Sequence, residues 1–351
     1  MKYLIAPELI ALLRKELAEG KYPAGSKFPS EYELSERFSI NKTTANKVVT
    51  ALVNAGLLAR SVRGGGTRVL QEEPFPKGQI AFLGTVKANY SSEVLKGATD
   101  CALLKKYVIT LLNPPPQYLQ HYLDMFKSMP FRGILTMAYG PVRTPEGIPV
   151  IHINQEFPDS DAVHHAVNSD NYGGAHRMME KILEAGHREI AFFLTDVIGW
   201  NSGERNRAFT AILREAGIPH WKERFFYGGN GEPRSAEHVL PQILERFPNI
   251  TAIVTENDND ALFMLSEIQL RGAALRKQIV VTGFGGLAYL SARMEFATVD
   301  QQLERLGQVA AEKLIQMIED GPPEKPFRAR VETRLLNLEC LRRFSGRPEK
   351  H

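Results

Sequence analysis

Apolar side chains recur at helical spacing through the first seventy residues. Ile5, Leu9, Leu12, Leu13 and Leu17 predict an amphipathic helix running to about Gly20, followed by a turn over Tyr22-Pro23-Ala24-Gly25. Ser30 and Glu33 have the spacing of a capping box, which predicts a short second helix with Leu34 and Phe38 inward. Asn41 is a suitable N-cap for a third helix from Lys42 to Ala55, and Gly56 for its end. Ala45, Val48, Val49, Leu52 and Val53 form one face of that helix; Lys42, Thr43, Asn46, Lys47 and Thr50 form the other. Leu57–Val62 and Thr67–Leu70 follow as two short strands, joined by Arg63, Gly64, Gly65 and Gly66 and flanked by Arg68.

The pattern then changes. Residues 71–78 hold two prolines and no periodicity, the signature of a linker. Beyond it, apolar runs alternate with helical segments. Strands are predicted at Ile80–Leu83, Val108–Leu112, Gly133–Met137, Val150–Ile153, Ile190–Leu194, Ala252–Thr255 and Ile279–Thr282. Helices are predicted at Glu93–Lys106, Gly173–Ala185, Glu204–Ala216, Asp260–Arg271 and Leu303–Asp320. Alternation of this kind implies parallel, doubly wound α/β sheets, and so many strands imply two lobes.

Charge sharpens the division. Residues 1–70 carry +5 and the remainder −2, so the first segment is suited to a polyanion and the second is not. The 351 residues exceed one compact core. No apolar run reaches the roughly 18 residues of a membrane span, and Pro7 and Glu8 break the N-terminal apolar stretch, so a cytoplasmic protein without membrane association is expected. Two cysteines, Cys101 and Cys340, are too few for a disulfide framework or zinc site and are expected to be reduced and buried. Gly283-Phe284-Gly285-Gly286 lacks the spacing and the downstream acid of a dinucleotide loop. His164, His165 and His187 lack metal-ligand spacing and are expected to be structural or surface groups. No catalytic residue, metal or cofactor is expected; an α/β enzyme or a solute-binding module acting on a small polar metabolite is the alternative reading.

Residues 1–70 resemble the winged helix-turn-helix of GntR-type regulators. The resemblance is carried by Phe28-Pro29-Ser30-Glu31 with Leu34, Asn41-Lys42-Thr43-Thr44, Leu52 with Gly56-Leu57-Leu58, and Gly64-Gly65-Gly66-Thr67. It implies contacts with double-stranded operator DNA from Ser30, Tyr32, Asn41, Lys42, Thr43, Thr44, Asn46, Lys47, Arg63, Gly64, Gly65 and Gly66. Tyr32 and Asn46 stand where that family often has arginine.

Residues 79–345 resemble the sensor domain of LacI-family repressors, a two-lobed type I periplasmic-binding-protein-like fold. Here the resemblance is carried by Asp170-Asn171, Gly186–Ile190, Glu204-Arg205, Glu256-Asn257-Asp258, Val281–Phe284, and Thr298–Gln301 with Leu306-Gly307. It implies lobes of 79–186 plus 299–321 and 187–298 plus 322–345, hinged near Ala185–Arg188, Ala297–Val299 and Gly321–Pro326. It also implies a sugar-like small-molecule effector held by Tyr90, Ser91, Asp170, Asn171, Tyr172, Trp200, Arg205, Asn257, Asp258 and Gln301. The acid that often follows the Gly-aromatic pair in this family is replaced by Gly285. Together the halves resemble regulators of the arabinose-repressor type: a homodimer on palindromic DNA, probed by effector closure, with repression of carbohydrate-utilisation genes as the expected output.

Overall fold

A computed structural model describes residues 6–61, 65–70, 75–84, 89–137, 139–142, 147–157, 164–195, 199–229, 232–287 and 295–342. The chain divides into two compact units, Met1–Lys77 and Gly78–His351.

The first unit holds α1 (Ala6–Ala18), α2 (Glu31–Phe38), α3 (Lys42–Asn54) and a hairpin of β1 (Leu58–Arg60) and β2 (Thr67–Val69), with Leu58 opposite Val69. Leu9 and Leu13 of α1, Leu34 of α2, and Val48, Val49 and Leu52 of α3 share one core with Phe28 and Leu58. The helix ends follow local chemistry. Ser30 accepts from the Glu33 N–H at 3.2 Å and donates its own N–H to the Glu33 carboxylate at 2.7 Å. Asn41 Oδ1 accepts from the Thr44 N–H at 2.7 Å. Gly56 takes φ +72, and the Leu57 N–H returns to the Leu52 carbonyl, closing α3. One ion pair locks the layers: Glu16, 7% exposed, accepts both terminal nitrogens of Arg37. The Arg37 hydrogen bond lowers the Glu16 carboxyl to about 2.

The second unit contains two six-stranded sheets. In the first lobe the order is β13 (Arg328–Val331), β7 (His165–Ser169), β6 (Val150–Ile153), β5 (Phe131–Thr136), β3 (Gly78–Leu83), β4 (Tyr107–Leu112), all parallel. In the second it is β14 (Arg334–Leu336), β12 (Ala297–Asp300), β11 (Val280–Gly285), β10 (Ala252–Thr255), β8 (Ile190–Thr195), β9 (Phe225–Gly229). Only β14 runs antiparallel to its neighbour there. The central strands are buried on both faces, which is why they are legible as continuous apolar runs. The strands absent from the sequence prediction carry polar residues, as in His165–Ser169, or alternate on a sheet edge, as in Arg328–Val331.

Nearby helices are α4 (Asn89–Leu104), α5 (Leu119–Met125), α6 (Asn171–Glu184), α7 (Trp200–Glu215), α8 (Pro233–Arg246), α9 (Asp258–Leu270), α10 (Ala273–Gln278) and α11 (Leu303–Asp320). In the first lobe, α4 and α11 approach so closely that a Cβ on Gly97 would lie 1.8 Å from the Glu304 carbonyl oxygen, and one on Gly307 would lie 1.9 Å from that of Val94.

The lobe boundaries need correction. Helix α6, expected in the first lobe, packs Ala175, Met178, Met179 and Ile182 into the core of the second, against Ile190 and Phe192. Strand β13, expected in the second lobe, pairs with β7 of the first. The chain therefore crosses at Ser169–Asn171, Asp300–Leu303 and Val331–Arg334, rather than near residues 185–188, 297–299 and 321–326. The physical cause is that each crossing follows the carboxyl end of a strand directly, before the next element packs, so helix α6 already belongs to the far side. The linker at 71–74 and the extreme 343–345 lie outside the described residues.

Candidate nucleic-acid interface and lobe-junction site

In the first unit, Lys42, Thr43, Asn46 and Lys47 are exposed on one face of α3, with Thr44 half-buried beside them. Their backs are Ala45, Val48 and Val49, fully buried, so helical periodicity alone turns the polar set outward. Tyr32 of α2 is 57% exposed, and the Lys42 ammonium lies 5.7 Å from its ring centre. Ser30 and Asn41 are occupied in part by capping: each uses a side-chain oxygen on a helix N–H. Gly65 and Gly66 are exposed on the hairpin, and the Ser61 N–H donates to the Gly66 carbonyl at 3.0 Å. Gly66 has φ +78, which favours glycine. Arg63 and Gly64 lie outside the described residues.

Sequence reasoning missed Arg60. From β1 its guanidinium donates to Asn46 Oδ1 at 2.6 Å, to Thr50 Oγ1 at 3.0 Å and to Glu31 at 3.2 Å. A cation thus reaches the polar face of α3 from the hairpin, at the level of Asn46. Leu58 points inward and Arg60, on the same short strand, is exposed; only the fold places it over α3.

In the second unit the carboxyl ends of the strands converge at the lobe junction, where open α/β sheets hold their ligands. Arg205 of α7 is its centre, 7% exposed. Its Nε and Nη2 donate to Asn171 Oδ1 at 3.0 and 2.9 Å, Nη1 to the Glu256 carbonyl at 2.6 Å, and Nη2 to Gln301 Oε1 at 3.4 Å. The guanidinium carbon lies 3.9 Å from the centre of the Phe284 ring. Burial pulls Arg205 below its ordinary pKa, opposed by attraction to Glu256, Tyr90 and Asp258. Asn171 also donates to Asn201 Oδ1 at 3.0 Å and to the Ser169 carbonyl at 3.1 Å.

From the first lobe, Asn154 donates to the Tyr90 hydroxyl and, through its Oδ1, accepts the Ser169 N–H at 2.6 Å. Ser169 Oγ donates to the Gln301 carbonyl at 3.3 Å, and Gln301 is 2% exposed. Burial raises the Tyr90 hydroxyl above its ordinary pKa, with the Asn154 bond opposing. Tyr90, Asn171, Arg205 and Gln301 are thus joined in one hydrogen-bonded set through Asn154 and Ser169, two residues the sequence reading did not single out.

The remaining expected contacts are spent elsewhere. Asp170 caps α6 by accepting the Gly173 N–H at 3.1 Å and pairs with Arg177 at 3.3 Å. Arg177 in turn donates to Thr333 Oγ1 at 2.7 Å, and Gln302 Nε2 donates to the Glu332 carbonyl at 2.6 Å, so all three crossings are tied together. Tyr172 stacks with His176 and carries the Arg207 guanidinium 4.9 Å from its ring centre. Asn257 caps α9: its Oδ1 accepts the Asp260 N–H at 2.8 Å and its Nδ2 donates to the Asp260 carboxylate at 2.6 Å. Asp258, wholly buried, accepts from Thr298 and from the Leu287 N–H at 3.0 Å. Burial raises the Asp258 carboxyl above its ordinary pKa, with these bonds opposing. Trp200 and Ser91 are half-buried, at the starts of α7 and α4.

Gly285 now has a reason. Its φ is +154, and a Cβ there would lie 2.8 Å from Asp258 Oδ2. The neighbouring Asp258 carboxylate fills the space into which a side chain would emerge. His187, expected to be structural, bridges Thr251 Oγ1 at 3.0 Å and the Leu341 carbonyl at 3.2 Å. Cys101 and Cys340 are both buried and neither forms a disulfide. Among the described residues no group of His, Cys, Asp or Glu is suited to a metal.

Residues 6–69 match the bacterial regulatory proteins of the gntR family, and residues 179–337 match a periplasmic binding protein-like domain. The chain is 24% identical to the arabinose metabolism transcriptional repressor of Geobacillus stearothermophilus, across 93% of this chain and 95% of that one. It is 25% identical to the HTH-type transcriptional regulator AscG of Escherichia coli (strain K12), across 85% and 90%. Among solved structures, a CelR–cellobiose complex matches with TM-score 0.65 at 16% identity, covering 88% of this chain and 98% of that one. A LacI family transcriptional regulator from Enterococcus faecium with bound ribose matches with TM-score 0.63 at 20% identity, covering 73% and 96%.

Fold, exposed α3 face and relatives define the class: a DNA-binding transcription regulator rather than an enzyme. In particular, a gntR-type DNA-binding domain over residues 6–69 is joined to a two-lobed unit whose residues 179–337 match a periplasmic binding protein-like domain. Among the described residues no helix is long and apolar enough to cross a membrane.

Proposed function

We propose that this regulator acts in the cytoplasm as a homodimeric repressor whose operator affinity is set by a sugar or sugar-derived effector bound between the lobes. The observation that carries the reading is the buried Arg205 guanidinium, shared among Asn171, Gln301 and the Glu256 carbonyl. Buried guanidinium is costly unless its donors are used, and these partners come from three different crossings or strand ends. A ligand that competes for these donors changes the relative energy of lobe arrangements, and only such differential affinity shifts a two-state equilibrium. Tyr90, Ser91 and Trp200 form the rim, and similar proteins include a repressor of arabinose metabolism and regulators bound to cellobiose and to ribose. Asp170, Tyr172, Asn257 and Asp258 hold the frame.

DNA contact is assigned to Lys42, Thr43, Thr44, Asn46, Lys47 and Arg60, with Tyr32 and the glycine hairpin beside them. Hydroxyls, amides and cations of this kind serve phosphates and base edges. For the dimer, each sheet ends in an exposed edge strand: Leu111 of β4 is 43% exposed and Tyr227 of β9 is 50% exposed. Leu104, at the end of α4, is 84% exposed. Apolar residues along unpaired edges call for a partner, and a second copy covers equivalent edges of both lobes with one two-fold axis.

The experiment is fluorescence anisotropy on a duplex selected by the full chain from a random pool, repeated with sugars found by thermal shift. The expected result is a palindromic site bound by a dimer and released by one sugar. A panel in which no sugar alters melting or DNA affinity would overturn the effector reading.

A further inference from the structure

Glu256 follows β10 directly and is 2% exposed. Its Oε2 accepts the Thr195 N–H at 2.8 Å, which fixes the side chain between the carboxyl ends of β10 and β8. Its Oε1 is buried and has no hydrogen-bond partner among the described residues. A buried carboxylate oxygen without a donor costs free energy, and such atoms concentrate where a ligand completes the bonding.

Three further facts say what is missing. Arg205 donates to the backbone carbonyl of Glu256, so guanidinium and carboxylate are neighbours. Yet the described residues include no ion pair within 4.0 Å between them; the two charges attract across a gap. The other acids of this region are spoken for: Asp258 is saturated by Thr298 and Leu287, and position 285 has no side chain because Asp258 fills its space.

We infer that Glu256 is the acceptor that grips effector hydroxyls, and that it selects a neutral polyhydroxy ligand over a sugar acid. One ligand hydroxyl donates to Glu256 Oε1 while the same or an adjacent hydroxyl oxygen accepts from Arg205. A ligand carboxylate in that place sets an acceptor against an acceptor and leaves Glu256 Oε1 without a donor. The inference rests on the sugar-sensor reading and adds the residue and ligand class.

The test is calorimetry and thermal shift on the full chain with neutral aldoses and cellobiose, and with the corresponding uronic and aldonic acids. The wild type is expected to bind a neutral sugar and to ignore its acid. Glu256→Gln keeps an oxygen for the Thr195 N–H but offers an amide where the free acceptor was. It is expected to fold normally and to lose roughly tenfold or more in affinity for that sugar. Wild-type affinity in Glu256→Gln would overturn the inference and leave the sugar sensor standing. Preference of the wild type for the acid would do the same. Failure of this isosteric variant to fold would assign Glu256 to structure and also overturn it. Silence of the wild type toward the whole panel would sink both readings.

Discussion

The two units put polar side chains to opposite uses. On α3 of the DNA-binding unit, Lys42, Thr43, Asn46 and Lys47 are exposed, and among the described residues only Asn46 is hydrogen-bonded to other side chains, those of Thr50 and Arg60. At the lobe junction of the sensor, Asn154, Ser169, Asn171, Arg205 and Gln301 are all buried and bonded to each other. An exposed face waits for a polyanion that brings its own charge, so it needs no internal partners. A buried set must be satisfied before the ligand arrives and must still release donors to it. The first arrangement tolerates substitution with small loss; the second does not.

The largest effect tests the frame that holds the buried set. Gly97→Ala forces a Cβ into the Glu304 carbonyl and is expected to cost the sensor on the order of 3 kcal/mol, read by urea unfolding, while DNA-binding-unit stability stays unchanged. An unperturbed sensor would mean that α4 and α11 separate cheaply. Next, Arg205→Ala strands Asn171 and Gln301 and is expected to abolish the effector-induced melting shift, a loss of about a hundredfold or more in affinity. A retained shift would move the site away from Arg205.

Smaller effects belong to the exposed face. Arg60→Ala is expected to leave melting almost unchanged, to weaken operator binding by about 1 kcal/mol, and to reduce the salt slope by about one if it touches phosphate. A change in melting with no change in DNA affinity would assign Arg60 to folding.

The gentlest probe is pH. His152 of the sensor is 3% exposed, and burial, with His164 beside it, lowers it to about 4. Its neutral form is the folded one, so its contribution is whole above about 6.5 and declines as pH falls toward 4. Glu16 of the DNA-binding unit is lowered to about 2 from an ordinary 4.5, so its contribution is whole above 4.5 and declines only toward 2. Acidification from pH 6.5 to 5 is therefore expected to lower the melting of the sensor and to spare the DNA-binding unit. Equal losses in that window, followed by calorimetry, would break the contrast.

Residue by residue, legibility followed the range of the interactions. Ser30 with Glu33, Asn41 and Gly56 were readable because capping is decided within four residues. Strands β3, β5, β8, β10 and β11 were readable because burial on two faces leaves mostly apolar residues. Strand β7 was not, since Asn168 and Ser169 look like loop until their neighbours satisfy them. The hinge positions also failed: α6 looks like a continuation of the first lobe, and only its packing against Ile190 and Phe192 assigns it to the second. Arg205, Asn171, Gln301 and Tyr90 were named as candidates by resemblance; Glu256 entered only as part of the motif it shares with Asn257 and Asp258, and Asn154 and Ser169 had no local signal at all.

By itself, then, the sequence determined the helix-turn-helix with its hairpin, the polar face of α3 and the alternating α/β plan of the sensor, because periodicity and caps act over a turn or two of chain. The tertiary structure alone decided which polar groups share bonds across the crossings, that Arg60 stands over Asn46, and that Asp258 occupies the space a side chain at 285 would need. Those contacts join residues tens to hundreds of positions apart, and hydrogen-bond satisfaction in a buried junction is a property of the assembled neighbours, not of any segment.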